Sequence, residues 1–591
     1  MFRTLMIGAV SALTLSAAAF ARRRFELIIA GAALASIFAG LPISTVEAQS
    51  GKVGHGQVAG ERIPFKAQRE LPQLTPEQKR LREEMRNQTH LPGPPLPEAP
   101  RSHRKAAPTA AGGDPPPAAA PTEVLPPGNT FTFFLSTAQD PYPGSTTDLI
   151  AEPQAATNGP VVFYTGNWFA SFSTDGGASF TFVNPYTQFA PLDGGFCCDQ
   201  TVIYDPTRDL MIWQLQYAQS PSTNKGSYRT AFAPPASVPS AGWCVYEWNP
   251  GSFGLGKGLW LDFPHVALSS NFVWYSANIF QINGPFQHSV IWRIKLDEAA
   301  TCATLNFNFF LDTTFTFTMV DGGATDTMYW AVHNSTSSIR IYQWAEADST
   351  PRPPTDITHS AYPNGTRVCP GPDGLNWCGR ADGRILTGWK NGGEIGFMWN
   401  AAQGDGDLGT FPFPYVHVAR FTATTTPTLI DEPIIWNNNG AWIYPAVAVN
   451  DNGGIAGTLY FGGGTEFPTM TALILDDLTS AAPPPWEVYG VVASESGTDR
   501  LWGDYFSSRR RPDWPNTWVI TGLQVSPERQ PKAWYVWMGR ERDGLTAMSS
   551  VQDGPTGMSS VQGTPPTSAS SDFLRFWWDD ISRQRPAAGS P

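Results

Sequence analysis

Short apolar runs, each led by a polar residue, recur along the chain between about residues 130 and 540. Apolar and polar positions alternate within these runs, which are rich in Val, Ile, Phe, Tyr and Trp and are therefore typical of β-strands. Successive leading residues lie 47 to 63 residues apart. The repeat predicts a series of similar β-sheet units. The leading residues are Glu152, Asp199, Asp262, Asp321, Asp382, Tyr444 and Asp504.

The length of the repeat indicates how the units are built. Common propeller repeats need about 40–50 residues for four strands, so the longer spacing leaves room for four strands with extended loops. The pattern predicts an all-β fold, a single β-propeller of seven four-stranded blades, with six or eight blades as alternatives because the first unit is short. We expect residues 130–134 to pair into the last blade and close the ring, which removes exposed strand edges.

A turn motif lies inside the first unit. Residues 173–180 read S-T-D-G-G-A-S-F. Ser173 and Asp175 can bond the backbone of a tight turn, Gly176 and Gly177 can adopt positive φ, and Phe180 can return to the core. With Gly177 in the glycine position, the stretch resembles the Asp box, S-x-D-x-G-x-x-F, of sialidase-type β-propellers. That resemblance implies a structural turn on the blade periphery, away from any ligand site.

A second motif supports the same resemblance. Residues 500–505, R-L-W-G-D-Y, are similar to an R-x-W-G-D-Y element of secreted bacterial propellers in the sialidase-like superfamily. The resemblance implies a propeller with its ligand site on one axial face. The three-arginine set that binds the substrate carboxylate in sialidases cannot be placed on this sequence, so classical sialidase activity is not expected.

Composition divides the chain into four regions. Residues 1–48 contain Arg22, Arg23 and Arg24 before an apolar stretch and resemble a twin-arginine signal. An uncleaved membrane anchor over residues 27–46 is the alternative. Residues 49–127 form a Pro-rich linker, in which T-P-E-Q at 75–78 predicts the start of a short helix. Residues 128–542 form the propeller and residues 543–591 a low-complexity tail. The protein is therefore expected to be secreted or periplasmic.

The net charge and the cysteine content limit which binding partners and metal sites can be expected. The net charge of −12 argues against nucleic acid. Residues 509–511, three consecutive arginines, could bind an anionic polymer locally, and a solvated basic loop without a ligand is the alternative. No cysteine spacing matches a zinc site, so neither a metal nor a cofactor is expected. Six cysteines behind an export signal favour disulfides. Cys369 with Cys378 is the best pair, and we expect Cys197 and Cys198 to pair separately with Cys244 and Cys302.

The leading residues supply the candidate chemistry, because innermost strands converge on the axial face of a propeller. Paired carboxylates there could act as acid and base in glycoside cleavage. His265 follows Asp262 by three residues and could abstract a proton in a polysaccharide lyase. Arginines could bind a carboxylate, and tyrosines could act as hydroxyl acids or as platforms for a sugar. The candidate catalytic residues are Asp262, His265, Asp199 and Asp504, and the candidate binding residues are Arg380, Arg384, Tyr444 and Tyr505.

These observations support two functional hypotheses. The first is a secreted propeller that acts on extracellular glycans as a glycosidase or lyase. The second is a non-catalytic extracellular propeller that binds a glycan or a protein. A pocket in which carboxylates meet an arginine or histidine would favour the first hypothesis, and an axial face without a polar pocket would favour the second.

Overall fold

The computed structural model describes residues 51–68, 74–87, 93–98, 131–136, 149–322, 325–475, 486–543 and 559–561. The signal region at residues 1–48 and nearly all of the tail at residues 543–591 lie outside these ranges. The described part consists mainly of β-strands, which confirms the all-β prediction. None of its helices is long and apolar enough to cross a membrane.

The strands are mostly antiparallel and pair with their neighbours in sequence, so they form successive meanders. The N-terminal elements are β1 (Lys52–Val58), β2 (Glu61–Ile63), β3 (Ala67–Gln68), α1 (Pro76–Asn87) and β4 (Phe131–Ser136). The elements of the first three meanders are β5 (Gln154–Thr157), β6 (Val162–Gly166), β7 (Phe169–Ser173), β8 (Thr181–Val183); β9 (Phe196–Asp205), β10 (Leu210–Tyr217), β11 (Lys225–Gly226), β12 (Tyr228–Ala233), α2 (Val238–Ala241), β13 (Trp243–Trp248); β14 (Leu259–Leu268), β15 (Phe272–Gln281), β16 (Phe286–Lys295), α3 (Leu296–Ala299) and β17 (Leu305–Asp312).

The remaining meanders follow in the same way, and short 3-10 turns lie at Pro235–Ser237, Pro250–Phe253 and Glu541–Asp543. Their strands are β18 (Thr318–Asp321), β19 (Thr327–Ser335), β20 (Ser338–Ala345), β21 (Thr355–Thr358); β22 (Ile385–Asn391), β23 (Glu394–Ala401), β24 (Gly404–Gly406), β25 (Gly409–Phe411), β26 (Tyr415–Thr422), β27 (Leu429–Asp431), β28 (Ile434–Ile435); β29 (Ala441–Val449), β30 (Ile455–Gly463), β31 (Glu466–Leu475), β32 (Trp486–Ala493); β33 (Ser508–Arg510), β34 (Trp518–Val525), β35 (Pro531–Arg540) and β36 (Ser559–Val561).

The meanders are arranged around a ring of first strands. These strands contact one another in the order β5, β9, β14, β18, β22, β29 and β33, and β33 contacts β5 again. One contact in this cycle is a parallel pairing of β18 with β22, which joins two meanders into a single nine-stranded sheet. As predicted, the early strand β4 pairs with β35 and completes the last meander. The cycle is the arrangement expected of a β-propeller.

Most leading residues found in the sequence mark a first strand. Asp199, Asp262 and Tyr444 lie on such strands, and Glu152, Asp382 and Asp504 precede them by a few residues. The exception is Asp321, which ends β18 instead of starting it, so that Tyr329 and Trp330 lie on the second strand of that meander. Alternation alone cannot distinguish a first strand from a second, since both are buried on two sides.

Residues 51–68 differ from the expected linker. Strands β1, β2 and β3 pair with β17, β13 and β8, the last strands of three meanders, and so cover their outer edges. The glycines that made this stretch look unstructured have a packing role. A Cβ at Gly54 would lie 2.2 Å from the ring of Phe309, and one at Gly56 would lie 2.5 Å from the ring of Phe307. Only glycine lets the backbone pass so close to these rings.

One of the three disulfides agrees with the pairing that the sequence predicts. Cys369 pairs with Cys378, as predicted, whereas Cys197 pairs with its neighbour Cys198 and Cys244 pairs with Cys302. The expected cross-pairing was wrong because Cys197 and Cys198 lie on β9, whereas Cys244 lies on β13 at the opposite side of the same sheet. Strands in a sheet are about 4.8 Å apart, so three strand spacings exceed the reach of a disulfide.

The core lies between neighbouring sheets. One apolar cluster combines Phe232 and Trp248 of one meander with Tyr275, Trp292 and Phe307 of the next. Tryptophans fill much of this space, and twelve of the largest fully buried side chains are Trp. They therefore hold meander against meander and are not available as sugar platforms.

Candidate active site

Five carboxyl groups from five different meanders meet where the first strands begin. Four of them are partly exposed to solvent, and Glu152 is buried. Their mutual charge effects show that they share one region, because Glu152 senses Asp199 and Asp504, and Asp199 senses Asp262 and Asp504. The sequence had predicted this convergence, and the structure brings the residues together. The five residues are Glu152, Asp199, Asp262, Asp382 and Asp504.

A repeated backbone feature positions part of this region. Glu152, Phe263 and Tyr444 have positive φ values of 42°, 56° and 59°, and each is followed by a proline. The register of β14 against β15 shifts between Asp262 and His265, and that of β29 against β30 shifts between Ile443 and Ala446. Such bulges redirect side chains, and strained residues of this kind concentrate at functional sites. Sequence reasoning missed the feature, although the recurring X-Pro at the start of a first strand was visible.

Arg380 links two of the acids. Its guanidinium binds Asp504 in a bidentate manner, with Nε–Oδ1 and Nη2–Oδ2 distances of 2.7 and 3.3 Å. The backbone N–H of Asp504 in turn donates to Glu152 Oε1 at 2.6 Å, and Asn167 donates to Oε2 at 2.8 Å. Burial, followed by the charges of Asp199 and Asp504, raises the pKa of Glu152 well above its usual value.

Arg384 forms a second charged unit with Asp382. Its Nε lies 2.9 Å from both carboxylate oxygens, and its Nη2 lies 2.6 Å from Oδ2. The guanidinium carbon sits 4.3 Å from the ring centroid of Phe263, so the aromatic face covers the cation. Because both predicted binding arginines already hold a protein carboxylate, neither is free to clamp a carboxylate of a ligand.

Asp199 is a partly exposed acid whose proton affinity is raised by its surroundings. Burial, and then the charges of Asp262 and Asp504, raise the pKa of Asp199 to about 8. Its carboxyl is therefore protonated at neutral pH. Asp262 accepts a hydrogen bond from Gln216 Nε2 at 3.0 Å. A proton-carrying acid thus lies beside a second carboxyl group that is held by an amide donor.

The two predicted tyrosines occupy different positions. Tyr505 is partly exposed, and its ring packs edge-on against Phe263 with 5.5 Å between centroids. Tyr444 is buried between Trp377 and Phe506, with centroid distances of 6.2 and 6.0 Å. The structure therefore leaves Tyr505 at the solvent-facing part of the site and places Tyr444 behind it.

His265 lies further along β14, in a small cavity at the centre of the ring that is lined by residues of all seven first strands. Its Nδ1 accepts a hydrogen bond from the backbone N–H of Met319 at 3.3 Å. Burial, and then the charge of Arg509, lower the pKa of His265 to about 3. The cavity volume is about 40 Å³, which suits a few waters and not a sugar ring. His265 is therefore separate from the carboxyl groups at the solvent-facing end.

The arginine triplet at 509–511 is paired and not a solvated basic loop. Arg509 crosses the centre of the ring, where its Nη1 donates to Asp321 at 3.1 Å and its Nε donates to the carbonyl of Val202 at 3.2 Å. Arg510 pairs with Asp451. Arg511 pairs with Asp513 at 2.8 Å. With these contacts the triplet contributes to folding, and an anionic polymer would have to displace them.

The turn at 173–180 joins β7 to β8 and takes no part in this region. Ser173 Oγ donates to Asp175 Oδ1 at 2.7 Å and accepts from the backbone N–H of Gly177 at 2.9 Å. Gly176 and Gly177 have φ values of 73° and 97°. The Phe180 ring packs against Tyr164, 5.9 Å between centroids. The hydrogen bonds expected of the motif are therefore present in a structural turn.

Comparison with known proteins gives only distant likenesses. No protein-family model matches the chain, and comparison with curated proteins finds no match in sequence. The chain is similar to the structure of an α-L-arabinofuranosidase of Fusarium graminearum (11% identity, 70% of this chain and 98% of that chain, TM-score 0.35). It is also similar to an endo-1,5-α-L-arabinanase of Thermotoga petrophila (9%, 66% and 98%, TM-score 0.24) and to Drosophila plexin A in complex with semaphorin 1b (10%, 67% and 86%, TM-score 0.31). Likenesses of this degree carry no information about activity.

Proposed function

We propose that the protein is a secreted propeller of seven blades, of the Asp-box sialidase-like type, that hydrolyses a neutral glycan at its axial face. Asp199 acts as the general acid, and Asp262 acts as the base or nucleophile. The observation that carries the proposal is the meeting of five carboxyl groups with two arginines at this end of the ring, where burial and the neighbouring charge of Asp262 raise the pKa of Asp199. Pairs of carboxyl groups with unequal proton affinity are what acid-assisted glycoside cleavage requires.

The architecture supports the seven-blade part of the proposal. The cycle of first strands has seven members, and β4 supplies the outer strand of the last meander. Three disulfides are consistent with an oxidising compartment outside the cytoplasm. The hydrogen-bonded turn at 173–180 matches the chemistry of an Asp box.

The charge balance favours a neutral substrate. Five carboxyl groups share two arginines, each of which is already bound to an aspartate. A uronate or sialate would bring a further negative charge into this region and raise the repulsion. The pKa of His265, lowered to about 3, makes it a weak proton acceptor, and its cavity is too small for a sugar. Hydrolysis is therefore better supported than a lyase reaction, which needs a base beside a bound uronate.

The roles of the two acids follow from their partners. The proton of Asp199 moves to the glycosidic oxygen as the C–O bond breaks, which turns the leaving sugar into a neutral alcohol. Asp262 accepts a hydrogen bond from the amide of Gln216 and lies next to Asp199, whose pKa its charge raises, so we assign it to attack carbon or to activate water. The rings of Phe263 and Tyr505 border the acids and can support a sugar face.

The test is hydrolysis of a panel of neutral polysaccharides, including arabinan, galactan and xylan, next to sialylated and uronate-containing polymers. The proteins are the wild type, Asp199→Asn, Asp262→Asn and, as a matched control, Asp356→Asn, which removes a carboxylate from the outer edge. Reducing ends and absorbance of unsaturated products are followed together. We expect new reducing ends from a neutral polymer, and their loss in the two axial variants.

Three results would overturn the proposal. Unsaturated products would show a lyase. Undiminished hydrolysis by both axial variants would remove the assigned acids from the reaction. Absence of cleavage of every polymer by a folded wild type, combined with retention on one of them in affinity electrophoresis, would favour the non-catalytic binding hypothesis.

A further inference from the structure

A second polar cluster lies away from the axial site, between the meanders of β18–β21 and β22–β28. His359 follows β21, His417 lies on β26, and Glu432 lies between β27 and β28. One donor atom from each of the three side chains falls within 4.8 Å of the other two. The cluster was not visible in the sequence, because His417 follows His359 by 58 positions and Glu432 follows His417 by another 15.

The distances suit a small cation with tetrahedral geometry. His417 Nε2 lies 3.3 Å from Glu432 Oε1, and His359 Nδ1 lies 3.9 Å from the same oxygen. Two donors that each lie about 2.0–2.1 Å from a tetrahedral zinc ion are about 3.3–3.4 Å apart. One pair therefore has the required separation already. The other needs a shift of about half an ångström, in which His359 Nδ1 exchanges its present contact with the Ser360 carbonyl, at 2.9 Å, for the metal.

The carboxylate is oriented by its own partners. The backbone N–H of Ser360 donates to Glu432 Oε1 at 2.7 Å, and the Ser360 hydroxyl donates to Oε2 at 2.8 Å. The ring of His417 is stacked on Trp399, with 4.4 Å between centroids. Supporting contacts of this kind fix ligand orientation at metal sites.

Each histidine of the cluster also carries a second ring nitrogen, other than the one that lies nearest to Glu432, and these second nitrogens have no partner in the part of the chain that the structure describes. His417 Nδ1 and His359 Nε2 have no hydrogen-bond partner among the described residues, and neither does either ring nitrogen of His333. His333 is 8% exposed, and its ring centroid lies 6.1 Å from that of His359. A buried imidazole nitrogen without a partner is costly unless an ion or ordered water occupies the space beside it.

We propose that His359, His417 and Glu432 bind a zinc-class divalent transition-metal ion that joins these two neighbouring meanders. Two imidazoles with one carboxylate suit Zn²⁺ or its first-row neighbours, whereas Ca²⁺ and Mg²⁺ prefer an all-oxygen set. His333 lies beside the cluster, where it can serve as a further ligand or bond a metal-bound water. None of the three ligands is an axial carboxyl group, and the proposal does not rest on the proposed hydrolysis.

The first test uses the untagged, mature protein. The protein is stripped with a chelator, reloaded with Zn²⁺ or Co²⁺ and freed of excess metal, and the bound metal is then counted by plasma mass spectrometry. We expect one equivalent per chain, and X-ray absorption of the zinc form should show two imidazole ligands. A folded wild type that retains less than a tenth of an equivalent would overturn the proposal without reference to any variant.

The second test compares His417→Gln and Glu432→Gln with His288→Gln, a partly buried histidine on β16. Competition with a chromophoric chelator measures zinc affinity. We expect each cluster variant to weaken binding at least 100-fold and His288→Gln to leave it unchanged. Equal affinity in all four proteins would show that the metal binds elsewhere and would overturn the assignment. If a variant does not fold, the ligand count from X-ray absorption of the wild type decides.

Discussion

An arginine–aspartate ion pair occurs at the axial end and another at the outer edge, but carboxyl pKa values shift in opposite directions in the two regions. Arg340 binds Asp356 across β20 and β21 with distances of 2.6 and 2.8 Å, much as Arg380 binds Asp504. At the edge, the hydrogen bond from Arg340 holds the pKa of Asp356 below its usual value. At the axial end, burial and surplus carboxylates raise the pKa of Asp199 to about 8. The proton affinity of a carboxyl group therefore depends on burial and on neighbouring carboxylates as well as on an arginine partner.

The largest difference that we expect between the two regions is in catalysis. Asp199→Asn should reduce kcat on the natural glycan by about 10³-fold, because the leaving oxygen is no longer protonated. The same variant should lose less than about tenfold on an aryl glycoside whose nitrophenolate leaves without a proton. Initial rates on both substrates measure the difference. Equal losses on the two substrates would contradict a general-acid role, and Asp356→Asn should match the wild type on both.

The next effect concerns stability. Arg380→Met leaves Asp504 without its cation beside Glu152, so the free energy of unfolding should fall by about 3–5 kcal/mol at pH 7. Arg340→Met removes the cation of an edge pair whose carboxylate is 48% exposed, and should cost less than about 1 kcal/mol. Denaturant titration monitored by tryptophan fluorescence gives both values. Similar losses in the two variants would break the distinction between the regions.

A third effect depends on pH. The folded state raises the pKa of Asp199 to about 8, whereas an unfolded aspartate titrates near 4. Between these values the folded state binds the extra proton, so this group's contribution to stability is present at low pH and is lost as the pH rises towards 8. Asp199→Asn should therefore stabilise the protein by about 1–3 kcal/mol at pH 8 and have little effect at pH 4. Tm measured at both pH values tests this, and a stabilisation that is independent of pH would contradict it.

The smallest expected effect is on the stability contribution of Asp356, which depends on pH in the opposite direction to that of Asp199. The pKa of Asp356 is lowered, so its contribution to stability is present above the unfolded pKa and is lost as the pH falls below it. Asp356→Asn should cost less than about 1 kcal/mol at pH 7 and nothing at pH 2–3. The same Tm series measures this change. A loss that grows on acidification would show that the hydrogen-bond geometry, and not the charge, matters at the edge.

Local patterns in the sequence were sufficient to predict several features of the structure. Alternating aromatic and β-branched residues predict the strands, and the regular spacing of leading residues predicts the series of meanders, because strand periodicity and turn chemistry are local properties. T-P-E-Q at 75–78 predicts the start of α1, where Thr75 and Gln78 exchange the expected hydrogen bonds. The convergence of Glu152, Asp199, Asp262 and Asp504 also followed, since the first strands of a ring share one end.

Other features depended on contacts between distant residues. Strands β1–β3 are short and marginal alone. They form because existing sheet edges accept them and because the glycines of β1 fit against the rings of Phe307 and Phe309. The pairing of Cys197 with Cys198 and the separation of His265 from the acids also reflect which strands face each other. The raised proton affinity of Asp199 likewise depends on residues that are distant in the sequence, because burial and charge effects act through space. The same holds for the grouping of His359, His417 and Glu432. The sequence alone determined the strands and their repeat, and the tertiary structure decided which polar groups meet.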